Sequence, residues 1–441
     1  MKTKLSILLM CATLLLSGCS FGTFSVDTLL TPPKLSQEQQ EIHQCLIESV
    51  GNDITLKYPS SGDNRSAFVV ANIDSEPTEE AIVFYEYSDL LKSSAGIRIN
   101  VLDKSGNNKW KSQYDFEGPG TDIDKIVITN TSKNDDISII IGYSTLNMTD
   151  KILEVYNYKD GMLNLIGRDT YSVLETIDLD NNGYNEIVTV QSGVEGSNAT
   201  ASLISVNESQ LVKSNITEMG VVSSSVTRFI KGKAMPSHKA LFLDCKNPDG
   251  SIHTEFLYFR YNSLQNPVAQ IGDKLIQQTT RPDGYYSTDV DGDGVIETPT
   301  VTVLPGYELL SSDKQLYLTT WSVYEDFYKL EDRMSGYYSI NMGFMLAFPD
   351  SWKNKVTVKR DEITGEVVFY EFSETLENSV NELARIAVCP KSDAEEYIDN
   401  GYKVITAVGQ VDYLVKLADE GSNELATNLQ TIRRNFYVVS K

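Results

Sequence analysis

The hydrophobic and polar positions follow two different periods along the first three quarters of the chain. A helical period comes first: Ile42 and Leu46 recur on one face, Ser36 and Gln39 form a capping box ahead of them, and Gly51 marks the end. From residue 52 to about 330 the apolar runs become short, alternating or β-branched, and Gly, Asn and Asp separate them. The pattern predicts a helix over 36–51 and an all-β region over 52–330.

The all-β region is self-similar. Five apolar runs recur at intervals of about 50 to 58 residues, each followed by a second run and most of them then by a turn; they open at Glu80, Asp136, Glu186, Lys239 and Glu297. A repeat of about 50 residues with three or four strands has the size of a propeller blade. We therefore expect a mainly β fold with an about five-bladed β-propeller-like domain. A pair of β-sandwiches with coincidental spacing is the alternative.

The pattern changes again beyond residue 336. A strand ends in Phe348 and Pro349, and Trp352 follows as an aromatic anchor of the core. Further strands are predicted over 356–359, 366–372 and 383–388, and helices over 394–400 and 422–435. Strands with helices segregated from them indicate a small α+β domain over 337–441.

The most informative polar cluster immediately precedes the recurring apolar run of the fifth repeat, the run that opens at Glu297. Oxygen ligands fall at positions 1, 3, 5, 7 and 9 of a tight loop, in the order Asp289, Asp291, Asp293, the carbonyl of Val295, and Glu297. Gly294 at position 6 permits a left-handed turn. Hard oxygens in that number suit calcium, and the closing acid at position 9 distinguishes the loop from an EF-hand.

The same frame occurs in the third repeat, and a degenerate copy occurs in the first. The third-repeat ligands are Asp178, Asp180, Asn182, the carbonyl of Tyr184, and Glu186. The first-repeat copy has Asn72, Asp74, Glu76 and Glu80, with Pro77 in the place of the glycine. The alternative is a set of Asx-rich turns that hold no ion. Bound calcium is expected to be structural, because so many protein oxygens leave little open coordination for a reacting water.

These loops resemble the D-x-D-x-D-G-x-x-[DE] motif of the FG-GAP or VCBS repeat family. The resemblance covers the repeat region and is specific in the third and fifth repeats. It implies propeller blades whose first hairpin loop binds calcium. The region over 337–441 resembles the PsbP-like or DcrB-like domains of lipoproteins.

The N-terminal residues indicate export. Lys2 and Lys4 precede an apolar run over 5–16, which is too short to cross a bilayer and typical of a signal peptide. The following Leu16-Ser17-Gly18-Cys19 resembles the lipobox of bacterial lipoproteins. We expect a signal peptide over 1–18, acylation of Cys19, and a tether over 19–35 that holds the protein at the extracytoplasmic face of the cell membrane. A secreted protein with a chance cysteine at this position is the alternative.

The amino-acid composition limits the kinds of partner that the protein is expected to bind. A formal net charge of −23 opposes binding to nucleic acid or to anionic head groups, so the lipid on Cys19 is the expected link to the membrane. The remaining cysteines are Cys45, Cys245 and Cys389, an odd and scattered set that reads as small buried hydrophobes without disulfides.

No catalytic residues and no organic cofactor are predicted. The histidines are His43, His238 and His253, and none has a cysteine or serine beside it in a recognisable nucleophile motif. The sequence therefore predicts that the protein is not an enzyme but a binding or scaffolding module for an unknown envelope protein or glycan. The alternative is an extracytoplasmic carbohydrate-active enzyme, a glycosidase or lyase, on the propeller fold.

Overall fold

The computed structural model describes residues 35–439, apart from 75, 89–95, 105–108, 133–136, 147–149, 195–196, 208–209, 420 and 422. The predicted signal peptide, Cys19 and nearly all of the tether lie outside the described residues. Within the described part, none of the helices combines the length and apolar character needed to cross a membrane.

The N-terminal helix packs on the first repeat. Helix α1 spans Gln37–Val50, and its capping box is complete: Ser36 Oγ accepts from the Gln39 amide at 3.1 Å, and Gln39 Oε1 accepts from the Ser36 amide at 3.0 Å. Ile42 and Leu46 are fully buried in a cluster with the first sheet. The predicted apolar stripe therefore faces the β region.

Four antiparallel sheets follow along the chain. The first repeat comprises β1 (Ile54–Leu56), β2 (Phe68–Ala71), β3 (Glu80–Tyr87), β4 (Arg98–Lys104) and β5 (Trp110–Glu117). The second comprises β6 (Asp122–Asn130), β7 (Ile137–Ser144), β8 (Lys151–Lys159) and β9 (Met162–Tyr171). The third comprises β10 (Val173–Ile177), β11 (Glu186–Gln191), β12 (Thr200–Asn207) and β13 (Gln210–Glu218). The fourth comprises β14 (Val226–Met235), β15 (His238–Lys246), β16 (Ile252–Arg260) and β17 (Ser263–Gln265).

Two short helices that periodicity did not indicate follow the fourth sheet. Helix α2 spans Pro267–Ile271 and α3 spans Asp273–Thr279. Asn266 caps α2 by accepting from the Val268 amide at 3.0 Å, and Val268 and Leu275 are buried against the sheet. Each helix is too short to show a helical period in the sequence.

The fifth repeat begins with a single bridge between Thr288 and Glu297 and continues with β18 (Thr298–Val303), β19 (Tyr317–Glu325) and β20 (Lys329–Ser339). All five predicted apolar runs are therefore strands, and three of the five sheets keep consecutive strands as neighbours throughout. The first departs where β1 and β2 both pair with β3, and the fifth departs at its last strand, which comes from the end of the chain. This confirms the mainly β fold.

Each repeat packs against the next one. Shared clusters of buried side chains join the first repeat to the second, the second to the third, the third to the fourth, and the fourth to the fifth. An ion-pair chain also crosses three first strands: Lys125 on β6 contacts Glu175 on β10, which lies 3.2 Å from Lys231 on β14. The repeats thus form a continuous series with charged contacts between their first strands.

The C-terminal part is an α+β unit that shares a core with the fifth repeat. Its sheet holds β22 (Val356–Arg360), β23 (Val367–Glu371), β24 (Glu382–Pro390), β25 (Lys403–Val408) and β26 (Val411–Leu417), with helices α4 (Ala394–Asp399) and α5 (Leu429–Arg434). Helix α5 is shorter than the predicted 422–435 because Asn428 caps it, accepting from the Thr431 amide at 2.9 Å. The carbonyl of Leu425 instead accepts from the indole of the buried Trp352 at 2.8 Å.

The two parts also share a sheet. Strand β20 runs through residues 330–337, where the sequence placed the change of domain, and β21 (Phe344–Ala347) extends the same sheet. The last strand, β27 (Phe436–Val438), pairs with β21, so that Leu346 lies opposite Phe436. The fifth sheet is therefore completed by residues that follow the α+β unit.

Candidate functional site

The position-9 glutamate is held identically in the three acidic loops. Oε2 of Glu297 accepts from the Val290 amide at 2.8 Å, and Glu186 and Glu80 accept in the same way from the residue at position 2, at 2.8 and 2.9 Å. All three glutamates are buried. This contact joins the start of the strand that follows each loop to the start of the loop. It uses Oε2 of each glutamate, and Oε1 is the other oxygen of the carboxyl group.

The fifth-repeat loop brings three carboxylates together. Asp289 accepts from the amides of Gly292 and Gly294 at 2.7 and 2.9 Å, and Gly294 has the positive φ, 84°, that the motif requires. Carboxylate oxygens of Asp289, Asp291 and Glu297 lie within 4.8 Å of one another. Three hard anionic oxygens at this spacing form part of a calcium shell.

The third-repeat loop has the same form. Asp178 accepts from the amides of Asn182 and Gly183 at 3.0 and 3.3 Å, and Gly183 has a φ of 92°. Carboxylate oxygens of Asp178, Asp180 and Glu186 lie within 4.8 Å of one another. The two loops that carry the complete motif thus each converge their acids at positions 1, 3 and 9.

The residues at positions 5 and 7 are placed differently. Oδ1 of Asp293 accepts from the Val295 amide at 2.7 Å, and Oδ1 of Asn182 accepts from the Tyr184 amide at 2.8 Å. These bonds fold the loop without bringing Asp293 into the carboxylate triad. Ligation by Asp293, Asn182 and the carbonyls of Val295 and Tyr184 stays a prediction.

The converging charges raise the pKa of the closing glutamates. Burial, followed by repulsion from the loop aspartates, raises the pKa of Glu297 and of Glu186 to about 7. A divalent cation among the three carboxylates would offset both causes, because it supplies opposite charge where water is excluded. The electrostatics of the two loops thus fit a bound calcium ion.

The first-repeat loop does not match them. Pro77 cannot take the positive φ of a glycine, and Asn72 Nδ2 donates to the Glu76 carbonyl at 2.8 Å. Among the described residues of this loop, the acids do not form a comparable triad. Oε1 of Glu80 is buried and has no hydrogen-bond partner within the described part of the chain.

Lys239 sets the third-repeat loop apart from the fifth. Its Nζ lies 2.8 Å from Oδ2 of Asp178, where it competes with a cation for the position-1 ligand. A partly exposed ion pair contributes up to about 1 kcal/mol, so we expect Lys239→Met to tighten calcium binding at this loop about fivefold. Titration calorimetry in an Asp291→Asn background isolates the site. Lys246→Met, at the other end of β15, is the control, and equal affinities in the two variants would contradict the prediction.

A second acidic group joins two acids of the first-repeat loop to acids that residue spacing did not indicate, and it lines an open pocket of about 630 Å³ between the first and second repeats. Its walls include Asp74, Glu76, Asp103, Tyr158 and Asp160. Asp103 lies on β4 directly opposite Glu80 on β3. Strand register and the packing of two repeats bring these carboxylates together, although they are far apart in sequence.

The comparisons with known proteins agree with the fold. No protein-family model and no curated protein sequence matches the chain, so the FG-GAP or VCBS and PsbP-like or DcrB-like resemblances stay predictions. Among solved structures, it is similar to the exotype rhamnogalacturonan lyase YesX, with 12% identity, a TM-score of 0.29, and coverage of 70% of this chain and 61% of the lyase. The chain thus spans less than two thirds of that lyase.

Two further neighbours are a putative 6-phosphogluconolactonase from Bacteroides fragilis and an exo-β-1,3-galactanase from Phanerochaete chrysosporium. The first shows 10% identity and a TM-score of 0.27 over 73% of this chain and 90% of the other. The second shows 8% identity and a TM-score of 0.27 over 76% and 80%.

These neighbours correct one prediction. The sequence predicted that the protein is not an enzyme, and that prediction is contradicted by a set of structural neighbours that consists mostly of enzymes. At such low identity and TM-score, the likeness transfers no substrate and no reaction to this chain.

Proposed function

We propose that the protein is an extracytoplasmic, lipid-anchored, carbohydrate-active enzyme on a propeller-like fold, with structural calcium in its third and fifth repeats. The acidic pocket between the first and second repeats carries this proposal. Glycoside hydrolysis generally needs two carboxyl groups, one to protonate the leaving oxygen and one to act as base or nucleophile. The pocket supplies several carboxylates on two rigid sheets.

The electrostatics of the pocket support proton transfer. Burial raises the pKa of Glu80 to about 7, and the neighbouring Asp74, Asp103 and Glu76 add to the rise. Burial and the same carboxylates raise the pKa of Tyr158 to about 12. Glu80 is buried opposite the pocket-lining Asp103, and its raised pKa lets its carboxyl group hold a proton near neutral pH, as a general acid must.

The substrate class follows from the charge of the pocket. The pocket walls carry four carboxylates and one lysine, Lys159, so a polymer of uronic acids is repelled there. A neutral polysaccharide avoids that repulsion. Neutral polysaccharides, galactans and glucans among them, are therefore the substrates that we place first.

The test is turnover of polysaccharides by the mature protein with calcium present. We expect reducing ends to be released from a neutral polysaccharide such as a galactan or a glucan, and Asp103→Asn to lower the rate at least a hundredfold. Asp332→Asn, in a separate pocket of about 530 Å³ beside the α+β unit, is the matched control and should keep the parental rate. A parent that cleaves none of a panel of galactans, glucans, mannans and rhamnogalacturonan would overturn the proposal.

The lipid anchor has its own prediction. Cys19→Ala removes the thiol that carries the acyl chain and leaves the apolar run of the signal intact, so membrane attachment should be lost. Fractionation and fatty-acid labelling measure the effect, with Cys45→Ala as the control. Unchanged labelling of the Cys19→Ala protein would contradict the lipoprotein assignment.

A further inference from the structure

A cysteine, a histidine and a glutamate meet inside the fourth repeat. Cys245 on β15 lies directly opposite His253 on β16, and Glu255 lies two residues further along β16 on the same face. All three are fully buried, and one possible ligand atom from each lies within 4.8 Å of the others. Residue spacing did not indicate this group, because only the strand register pairs the cysteine with the histidine.

The imidazole has an unused nitrogen that faces the group. Nδ1 of His253 lies 2.8 Å from Oδ1 of Asn247, which can only accept, so Nδ1 carries the proton. Nε2 then presents a lone pair, and this buried atom has no hydrogen-bond partner among the residues that the structure describes. A buried acceptor of this kind costs free energy unless something binds it.

We propose that Cys245, His253 and Glu255 bind a zinc ion. Thiolate, imidazole and carboxylate are the ligand types that zinc prefers, and a metal-bound histidine typically donates its other N–H to a neighbouring oxygen, as His253 does to Asn247. The separation of 3.5 Å between His253 Nε2 and Glu255 Oε1 matches the roughly 3.3–3.5 Å edge of a tetrahedral shell with ordinary Zn–N and Zn–O bonds.

Charge balance supports the same ion. A thiolate and a carboxylate carry two negative charges, the neutral imidazole carries none, and Zn²⁺ cancels them, so the buried cluster becomes neutral. Glu255 is already oriented by the Gly220 amide, at 2.9 and 3.0 Å, and by Asn266 Nδ2 at 2.6 Å. With these donors in place, Oε1 of Glu255 faces Nε2 of His253. The site differs from the acidic loops, whose oxygen ligands suit calcium.

The test is the metal content of protein produced in zinc-supplemented medium and purified with excess calcium, which occupies the acidic loops. We expect one zinc per chain by mass spectrometry of the metal. Protein produced with cobalt should show a thiolate-to-cobalt charge-transfer band in the near ultraviolet. Cys245→Ser should lose both signals, while Cys389→Ser, at another buried cysteine, should keep them.

Asn247→Ala gives a graded readout. Loss of the hydrogen bond that orients a metal-bound histidine should lower the zinc affinity about 10–100-fold without removing a ligand. Chelator competition measures that change. Zinc far below one per chain in the parent together with no thiolate band would overturn the proposal.

Discussion

Chelation of calcium should lower the thermal midpoint of the mature protein by several degrees, and Asp291→Asn should abolish most of that response. An ion that binds the folded loop and not the unfolded chain stabilises the fold by about 2.7 kcal/mol at a hundredfold excess over its dissociation constant. The fifth-repeat loop should dominate, because Asp289, Asp291 and Glu297 converge there without a competing lysine contact of the kind that Lys239 makes to Asp178.

Differential scanning calorimetry in millimolar calcium and in chelator measures the response. Asp313→Asn changes an exposed aspartate outside the loops and should retain the full shift. Asp74→Asn in the degenerate first loop should retain it as well. Equal midpoints with and without calcium in the parent would show that the loops are Asx turns that hold no ion.

Asp244→Ala should cost about 3–5 kcal/mol in the free energy of unfolding, the largest single-residue effect that we expect. Asp244 on β15 and Arg281 are both fully buried, and Oδ1 of the aspartate lies 2.7 Å from the guanidinium. The same carboxylate accepts from Thr254 Oγ1 at 2.8 Å and from the Ser287 amide at 2.8 Å.

The size of the effect follows from what the substitution leaves behind. Arg281 would keep its positive charge in a site that is closed to solvent, and burial already lowers the pKa of its guanidinium. Three further buried donors would lose this acceptor, namely Thr254 Oγ1 and both the amide and the hydroxyl of Ser287. Because Arg281 and Ser287 lie where the chain enters the fifth repeat, the loss also loosens the contact between the fourth and fifth repeats.

Urea denaturation followed by tryptophan fluorescence measures the change. Glu325→Ala breaks the exposed pair with Lys329, 2.7 Å apart, and should leave the midpoint within error because water screens that pair. A cost for Asp244→Ala no larger than that of Glu325→Ala would contradict the account of the buried pair.

The sequence predicted those features that depend on neighbouring residues. The capping box at Ser36, the strands of the five recurring apolar runs and the glycine turns at Gly183 and Gly294 are local patterns, and the structure contains them all. Helix α5 was predicted too long because the apolar stripe already begins at Leu425, ahead of Asn428, whose side chain caps the start of the helix.

The features that were missed depend on strand register and on contacts between repeats. Nothing in the local sequence pairs Cys245 with His253, brings Asp103 beside Glu80, or places Arg281 against Asp244. The interpretation of Cys245 as a small buried hydrophobe described its burial correctly and missed its neighbours. Polar groups that meet inside a β fold become visible only when the pairing of strands is known.

The pairing of β21 with β27 links folding to the order in which the chain emerges during synthesis. Until residues 436–438 arrive, β21 presents a free row of backbone donors and acceptors beside the apolar side chains of Phe344 and Leu346. A nascent chain, or a chain cleaved before that strand, exposes an unpaired strand edge that can pair with a second copy of the protein. The repeat domain therefore depends on intact translation and on protection from proteases beyond the α+β unit.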